Sequence, residues 1–206
     1  MFGTSPEPLL HPVALKALRP TQITVGYHEV ARKRHQWILR AKQDGPDFLG
    51  RHMIPAIIGP KGERWILDHH HLVLALHQEG VEHVLVNIIA DLGHLKKEAF
   101  LTYMDNRNWL HPFDASGQRS SYDALPRHIG KLVDDPYRSL AGAVRRAGGY
   151  AKVDTPYSEF LWADFLRRQV KLSKLKDDFD RCVDKSVDMA RSEAARHLPG
   201  WAGNQD

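Results

Sequence analysis

Trp65-Ile66-Leu67-Asp68-His69-His70-His71-Leu72 is the stretch that decides how this chain folds. Residues 65–67 read as an apolar strand. Residues 69–78 read as a helix whose apolar surface comes from Leu72, Leu74, Ala75 and Leu76, closed by Gly80. Asp68 stands where an N-cap is expected. A strand thus delivers a polar cluster directly to a helix start. Backbone N–H groups point outward there and the helix dipole is positive, so an anion binds readily. Imidazoles add donors and can carry protons. Successive helical residues diverge by about 100°, so three adjacent histidines cannot all face one ligand. One or two would contact it, and the third is expected to be buried and hydrogen-bonded. Three histidines in a row are therefore a poor zinc cage without partners from elsewhere. The blander reading makes Asp68 a cap and the histidines surface residues.

Working outward, residues 53–58 form a compact apolar run that reads as a buried strand. Gly59-Pro60-Lys61-Gly62 makes a turn and residues 64–67 return, which gives a β-hairpin. Residues 81–90, rich in Val and Ile, read as another strand. Upstream, residues 13–18 alternate weakly and form a short strand that Arg19-Pro20-Thr21-Gln22 breaks. Residues 28–42 are helical, with Val30, Trp37, Ile38 and Ala41 near one face and Arg32, Lys33, Arg34 and Arg40 over much of the rest. Asp44-Gly45-Pro46 ends that helix.

After Gly93 the pattern is mostly helical. Residues 95–106 form one helix and residues 111–119 a polar loop. Short helices follow over 126–132 and 136–147, then a helix over 157–168 and a long charged one over 177–197. The fold class is α+β, a small mixed sheet with helices followed by a helical C-terminal half. The expected organisation is a proline-rich flexible leader over 1–12, a core over 13–93 and a helical extension over 94–206 packed on or beside it.

Bulk properties narrow the function classes. The 206 residues are 42% hydrophobic and 26% charged, ordinary for a globular protein with a sizeable core. The net charge of +4 and the 13 histidines suit an anionic ligand or nucleic acid without proving either. The single cysteine, Cys182, excludes an intramolecular disulfide and a Cys-rich zinc site, and in its charged helical stretch it reads as a bystander thiol. No apolar run approaches the ~18 residues of a membrane span. The N-terminus lacks a basic segment followed by an apolar core, so no signal peptide is read and a cytoplasmic location is expected.

Three further stretches carry side chains suited to phosphate. Residues 18–27 form a constrained loop containing Thr21 and Gln22. Arg32-Lys33-Arg34-His35 is either a solvated helix face or a phosphate contact. In Asp134-Asp135-Pro136-Tyr137-Arg138, Asp135 reads as an N-cap with proline at N1. Arg138 then either joins a local ion pair or projects into a site.

A Pro-Thr-Gln loop, a helix, a β-hairpin and Asp-His-His-His at a helix start, in this order, resemble the ParB/sulfiredoxin superfamily and within it the ParB-like nuclease branch. The resemblance runs over residues 13–89. Pro112-Phe113-Asp114, residues 134–140 and residues 159–164 are similar to that branch as well. It implies a small α+β core that binds nucleotide phosphates at the strand-to-helix turn. Members with kinase activity carry Asp-Gly-His-His-Arg at this turn, matched here by Asp68, His70 and His71. His69 replaces the glycine and Leu72 the phosphate-binding arginine. Gln22 stands where those members carry a catalytic glutamate, and a neutral amide is no general base. Glu29 is the nearest replacement. Cys182 lies far from the turn, which argues against sulfiredoxin chemistry, and no helix-turn-helix DNA reader is evident after residue 93.

The expected function is that of a ParB-like phosphate-ester enzyme, a nuclease or nucleotide hydrolase or phosphotransferase. His70 or His71 would serve as acid/base or phosphate ligand, and Asp68 would orient an imidazole or hold Mg²⁺ or Mn²⁺. His69, Thr21, Gln22, Lys33 and Arg138 would bind the phosphates of ATP, CTP or nucleic acid. The alternatives are a nucleotide- or DNA-binding module without turnover and a small-molecule, serine-type kinase using Glu29.

Overall fold

A computed structural model describes residues 10–44 and 53–203. The element order is β1 (Leu10–Ala14), β2 (Leu18–Pro20), β3 (Thr24–Val25), α1 (Tyr27–Asp44), β4 (Ile54–Ile58), β5 (Arg64–Ile66), α2 (His70–Gln78), β6 (His83–Asp91) and α3 (Lys97–Asn106), then β7 (Val133–Asp134), α4 (Pro136–Arg146), α5 (Ser158–Gln169), α6 (Leu172–Asp177) and α7 (Phe179–Arg191). Strands concentrate in the first half and helices in the second, as an α+β chain with a helical C-terminal half requires. The residues form two compact units. Unit 1 holds the chain up to Ile23, Arg32–Pro112 and Ser120–Leu132, and unit 2 holds Thr24–Ala31, Phe113–Arg119 and the chain from Val133. Among the described residues no helix is long and apolar enough to cross a membrane.

Unit 1 is built on a five-stranded mixed sheet in the order β1-β6-β4-β5-β2. The expected hairpin is the antiparallel pair β4/β5, with Ile57 opposite Trp65. β6 lies parallel to β4 on its other side, so α2 crosses over β4 to link β5 to β6. Central β4 is buried on both faces through Ile54, Ala56 and Ile57, which explains its unbroken apolar run. Phe100, Leu101 and Met104 of α3 pack with Ile57 and Trp65 in one cluster. Gly59 is required there, because a Cβ would come within 2.9 Å of both the Trp65 and Phe100 rings. Helix α2 is buried from Leu72 to Leu76 and ends as read: Gly80, at φ +75°, donates to His77 C=O and Val81 to Leu76 C=O.

Several boundaries depart from the sequence reading. The strand expected over 13–18 is two strands separated by a 3₁₀ turn at Leu15–Ala17. Arg19-Pro20 does not break β2 but completes it. Among the described residues β2 pairs only with β5, and an edge strand tolerates a residue with no N–H. Residues 126–132 form only a 3₁₀ turn at Ile129–Lys131. The long helix expected over 177–197 is α7 followed by a 3₁₀ turn at Glu193–Ala195, and a short helix not read from the sequence, α6, precedes it. Asp178 separates α6 from α7, because its side chain accepts the Arg181 N–H and so starts a new helix. On α1, Val30 is buried but Ile38 remains 40% exposed. The stop signal at Gly45-Pro46 and residues 1–9 of the expected leader lie outside the described residues, while Leu10–Pro12 belong to β1.

Unit 2 packs α4, α5 and α7 around Leu140, Val144, Trp162 and Leu166. Trp162 is fully buried, stacks on Tyr150 at 4.0 Å and donates its indole N–H to Pro199 C=O at 2.8 Å. Tyr150 and Tyr137 donate their hydroxyls to Ala141 C=O and Val170 C=O, so both buried phenols are satisfied. The parallel pair β3/β7 brings residues 24–31 to α4.

Candidate functional site

β5 enters the Asp68–His71 turn through Leu67, whose N–H is held by Pro55 C=O at 2.8 Å. Asp68 is not the N-cap of α2. That position falls to His69, while the Asp68 carboxylate accepts the His69 N–H at 2.6 Å. His69 adopts φ 65°, ψ 21°, a left-handed conformation that costs a side-chain-bearing residue about 1–2 kcal/mol. It occupies the position that is glycine in the kinase-like motif, and it keeps a glycine-like backbone there.

The three histidines diverge, His70 and His71 by the helical angle and His69 by its left-handed backbone. His69 is exposed, His71 half-buried and His70 only 4% exposed. The buried ring meets Thr21, which is 2% exposed. Thr21 N–H donates to His70 Nε2 at 3.2 Å, and Thr21 Oγ1 lies 3.3 Å from the same nitrogen. Thr21 Oγ1 donates its own proton to Ile66 C=O at 2.8 Å. A backbone N–H can only donate, so Nε2 is the acceptor, and the neutral ring carries its proton on Nδ1. His70 therefore clamps the end of β2 to the start of α2. Thr21 C=O accepts the His111 N–H at 2.8 Å, and Gln22, 5% exposed, bridges to His111.

Unit 1 thus brings Thr21, Gln22, Asp68, His69, His70 and His71 around one strand-to-helix junction. Lys33 is half-buried on α1 in the same unit. Among the described residues no group of three or more His, Cys, Asp or Glu could hold a metal ion. The turn supplies one exposed carboxylate, Asp68, and Mg²⁺ is commonly held by one or two carboxylates together with substrate phosphates.

Glu29 and Arg138 belong to unit 2. Glu29 pairs with Arg146 at 2.5 Å. Arg138 is 5% exposed, lies 3.4 Å over the Phe160 ring and faces Glu159 at 3.9 Å. Burial lowers its pKa, against the pull of Glu159. The stretch 134–140 caps two helices. Asp135 accepts the Tyr137 N–H at 3.0 Å to start α4 and pairs with Arg167 at 2.6 Å. Burial pushes its pKa up in spite of Arg167. Asp134 accepts the Tyr27 N–H at 2.7 Å and Ser139 Oγ the His28 N–H at 3.1 Å, so both start α1. A Cβ on Gly26 would lie 2.5 Å from Ser139 N, so only glycine allows this approach.

Sequence reasoning placed Thr21 and His70 in the site but missed that they bind each other, since no local pattern links positions 49 residues apart. It also missed Arg167 as the partner of Asp135. That arginine sits in an ordinary basic last turn of α5.

A family model described as "Putative ParB-like nuclease" matches residues 11–168. The crystal structure of protein Atu1540 from Agrobacterium tumefaciens is similar at 51% identity and a TM-score of 0.90, covering 98% of this chain and 100% of that one. No curated protein matches the chain.

Proposed function

The chain belongs to the ParB-like nuclease family, and on that premise we propose that it acts on phosphate esters of a nucleotide or nucleic acid at the start of α2. The observation that carries this reading is the Thr21–His70 clamp. It fixes a buried, polar strand end against a helix start, where the dipole and backbone donors favour an anion.

In this reading the phosphate lies over the first turn of α2, with His69 and Lys33 adding positive charge. His71, half-buried and one helical step from the clamp, exchanges protons with the reacting groups. Water attacks phosphorus as the bond to the leaving oxygen breaks. His71 takes the proton from the water and returns one to the leaving oxygen. His70 holds the loop and does not exchange protons, because its Nε2 is engaged by a backbone N–H. That engagement also favours the second reading, a nucleotide- or DNA-binding module without turnover. The pairing of Glu29 with Arg146 speaks against Glu29 as the acid of a serine-type kinase.

The test is incubation with ATP, CTP and single- or double-stranded DNA, with and without Mg²⁺ or Mn²⁺, followed by product analysis and thermal melting. Product that disappears in His71→Ala supports the enzyme. A raised Tm without product supports the binding module. Neither product nor a Tm shift defeats both.

A further inference from the structure

Unit 2 contains a cavity of about 350 Å³ lined by the end of α5 and by α6 and α7. Its wall carries four cations, Lys171, Lys174, Arg181 and Lys185. Its carboxylates are Asp177 and Asp178, and Asp178 is already committed to capping α7. Among the described residues none of the four cations has an ion-pair partner. By contrast Arg145 pairs with Glu159, Arg146 with Glu29, Arg167 with Asp135 and Arg168 with Asp164 in the same unit. Four unmatched cations against two carboxylates give this concave surface an excess of positive charge.

The cavity also has an apolar lining, supplied by Val170, Met189 and the buried Cys182. Cationic walls beside apolar surface suit a ligand with both phosphates and a ring. The volume falls in the range of small-molecule pockets, about 300–1,000 Å³. A duplex backbone is convex, so it would touch the rim cations and leave the apolar surface uncovered.

We propose that this cavity binds a nucleoside polyphosphate, with its phosphates on Lys171, Lys174, Arg181 and Lys185 and its base against Val170 and Met189. The site lies wholly within unit 2 and is independent of the turn at Asp68–His71. Its failure would leave the reading of that turn untouched.

The full chain is titrated with ATP by calorimetry, and Cys182, the single thiol, is alkylated with N-ethylmaleimide and followed by intact mass. ATP is expected to bind and to slow alkylation severalfold. Arg181→Glu/Lys185→Glu changes exposed residues, so its Tm should stay unchanged, while ATP affinity at this site falls at least about tenfold and protection is lost. His70→Ala should keep the protection. Protection that survives the double substitution, or ATP binding that leaves Cys182 alkylation unchanged, overturns the proposal. Tripolyphosphate protecting as well as ATP overturns the nucleoside assignment, and duplex DNA protecting where ATP does not overturns the choice of ligand.

Discussion

Replacing His70 with alanine tests the clamp directly. The substitution leaves the N–H of Thr21, a 2%-exposed residue, without its acceptor. A stranded buried donor costs about 1–3 kcal/mol, and the space left by the ring adds to it. A loss of about 3 kcal/mol is expected. At roughly 2–4 °C per kcal/mol for a chain of this size, the Tm falls by about 6–12 °C. Hydrogen exchange reads the bond itself. If about 2 kcal/mol of the loss is local, the Thr21 amide exchanges roughly 30-fold faster. His70→Gln places an amide oxygen near the Nε2 position and should recover most of both effects. Unchanged Thr21 exchange in His70→Ala would refute the hydrogen bond. Should His70→Gln restore Tm and phosphate binding but abolish turnover, the imidazole itself reacts and His71 is the wrong proton carrier.

Four other outcomes follow from the geometry. Asp135→Ala removes the cap of α4 and one partner of Arg167, which keeps Asp164 at 3.0 Å; the expected loss is about 3 kcal/mol by urea titration. A double-mutant cycle with Arg167→Met should give coupling above about 1 kcal/mol, and strict additivity would sink the pairing. Gly26→Ala forces a Cβ against Ser139 backbone and should cost about 2–3 kcal/mol, so a change within about 0.5 kcal/mol contradicts the packing. His69→Gly relieves the left-handed strain and should stabilise by up to about 1 kcal/mol in thermal melts; a loss would show that the imidazole makes contacts worth more than the strain. Asp114 is held below its ordinary 3.8 by the Ser116 hydroxyl first and the Gln118 N–H second. A depressed carboxylate stabilises above the unfolded value and loses that contribution as pH falls through the folded one, so an NMR titration midpoint at or above 3.8 would contradict it.

What the sequence disclosed followed from periodicity and local chemistry. The hairpin of β4 and β5, helix α2 with its Gly80 stop, and β6 each carry a continuous apolar signal. The divergence of His70 and His71 followed from the helical angle. β2 was hidden because Pro20 reads as a breaker, and only its place at the sheet edge makes it harmless. Helix α6 was hidden because its six residues, half of them charged, are too short to show a period, whereas the start of α7 beside Asp178 was read within two residues. The left-handed turn at His69 carried no glycine to announce it. The pairing of Thr21 with His70 depends on the sheet being assembled, and it could not be read from either segment alone.

The start of α1 has a consequence for the order in which this protein can be made. The groups that hold the Tyr27 and His28 amides, Asp134 and Ser139, lie 107 and 111 residues further along the chain. During synthesis the first turn of that helix leaves the ribosome long before its caps exist, and it must wait, uncapped, until α4 is translated. Unit 2 thus begins with an early segment and is completed by a late one. No single cut in the gene separates the two units, and any fragment ending before residue 134 carries a helix with no proper beginning.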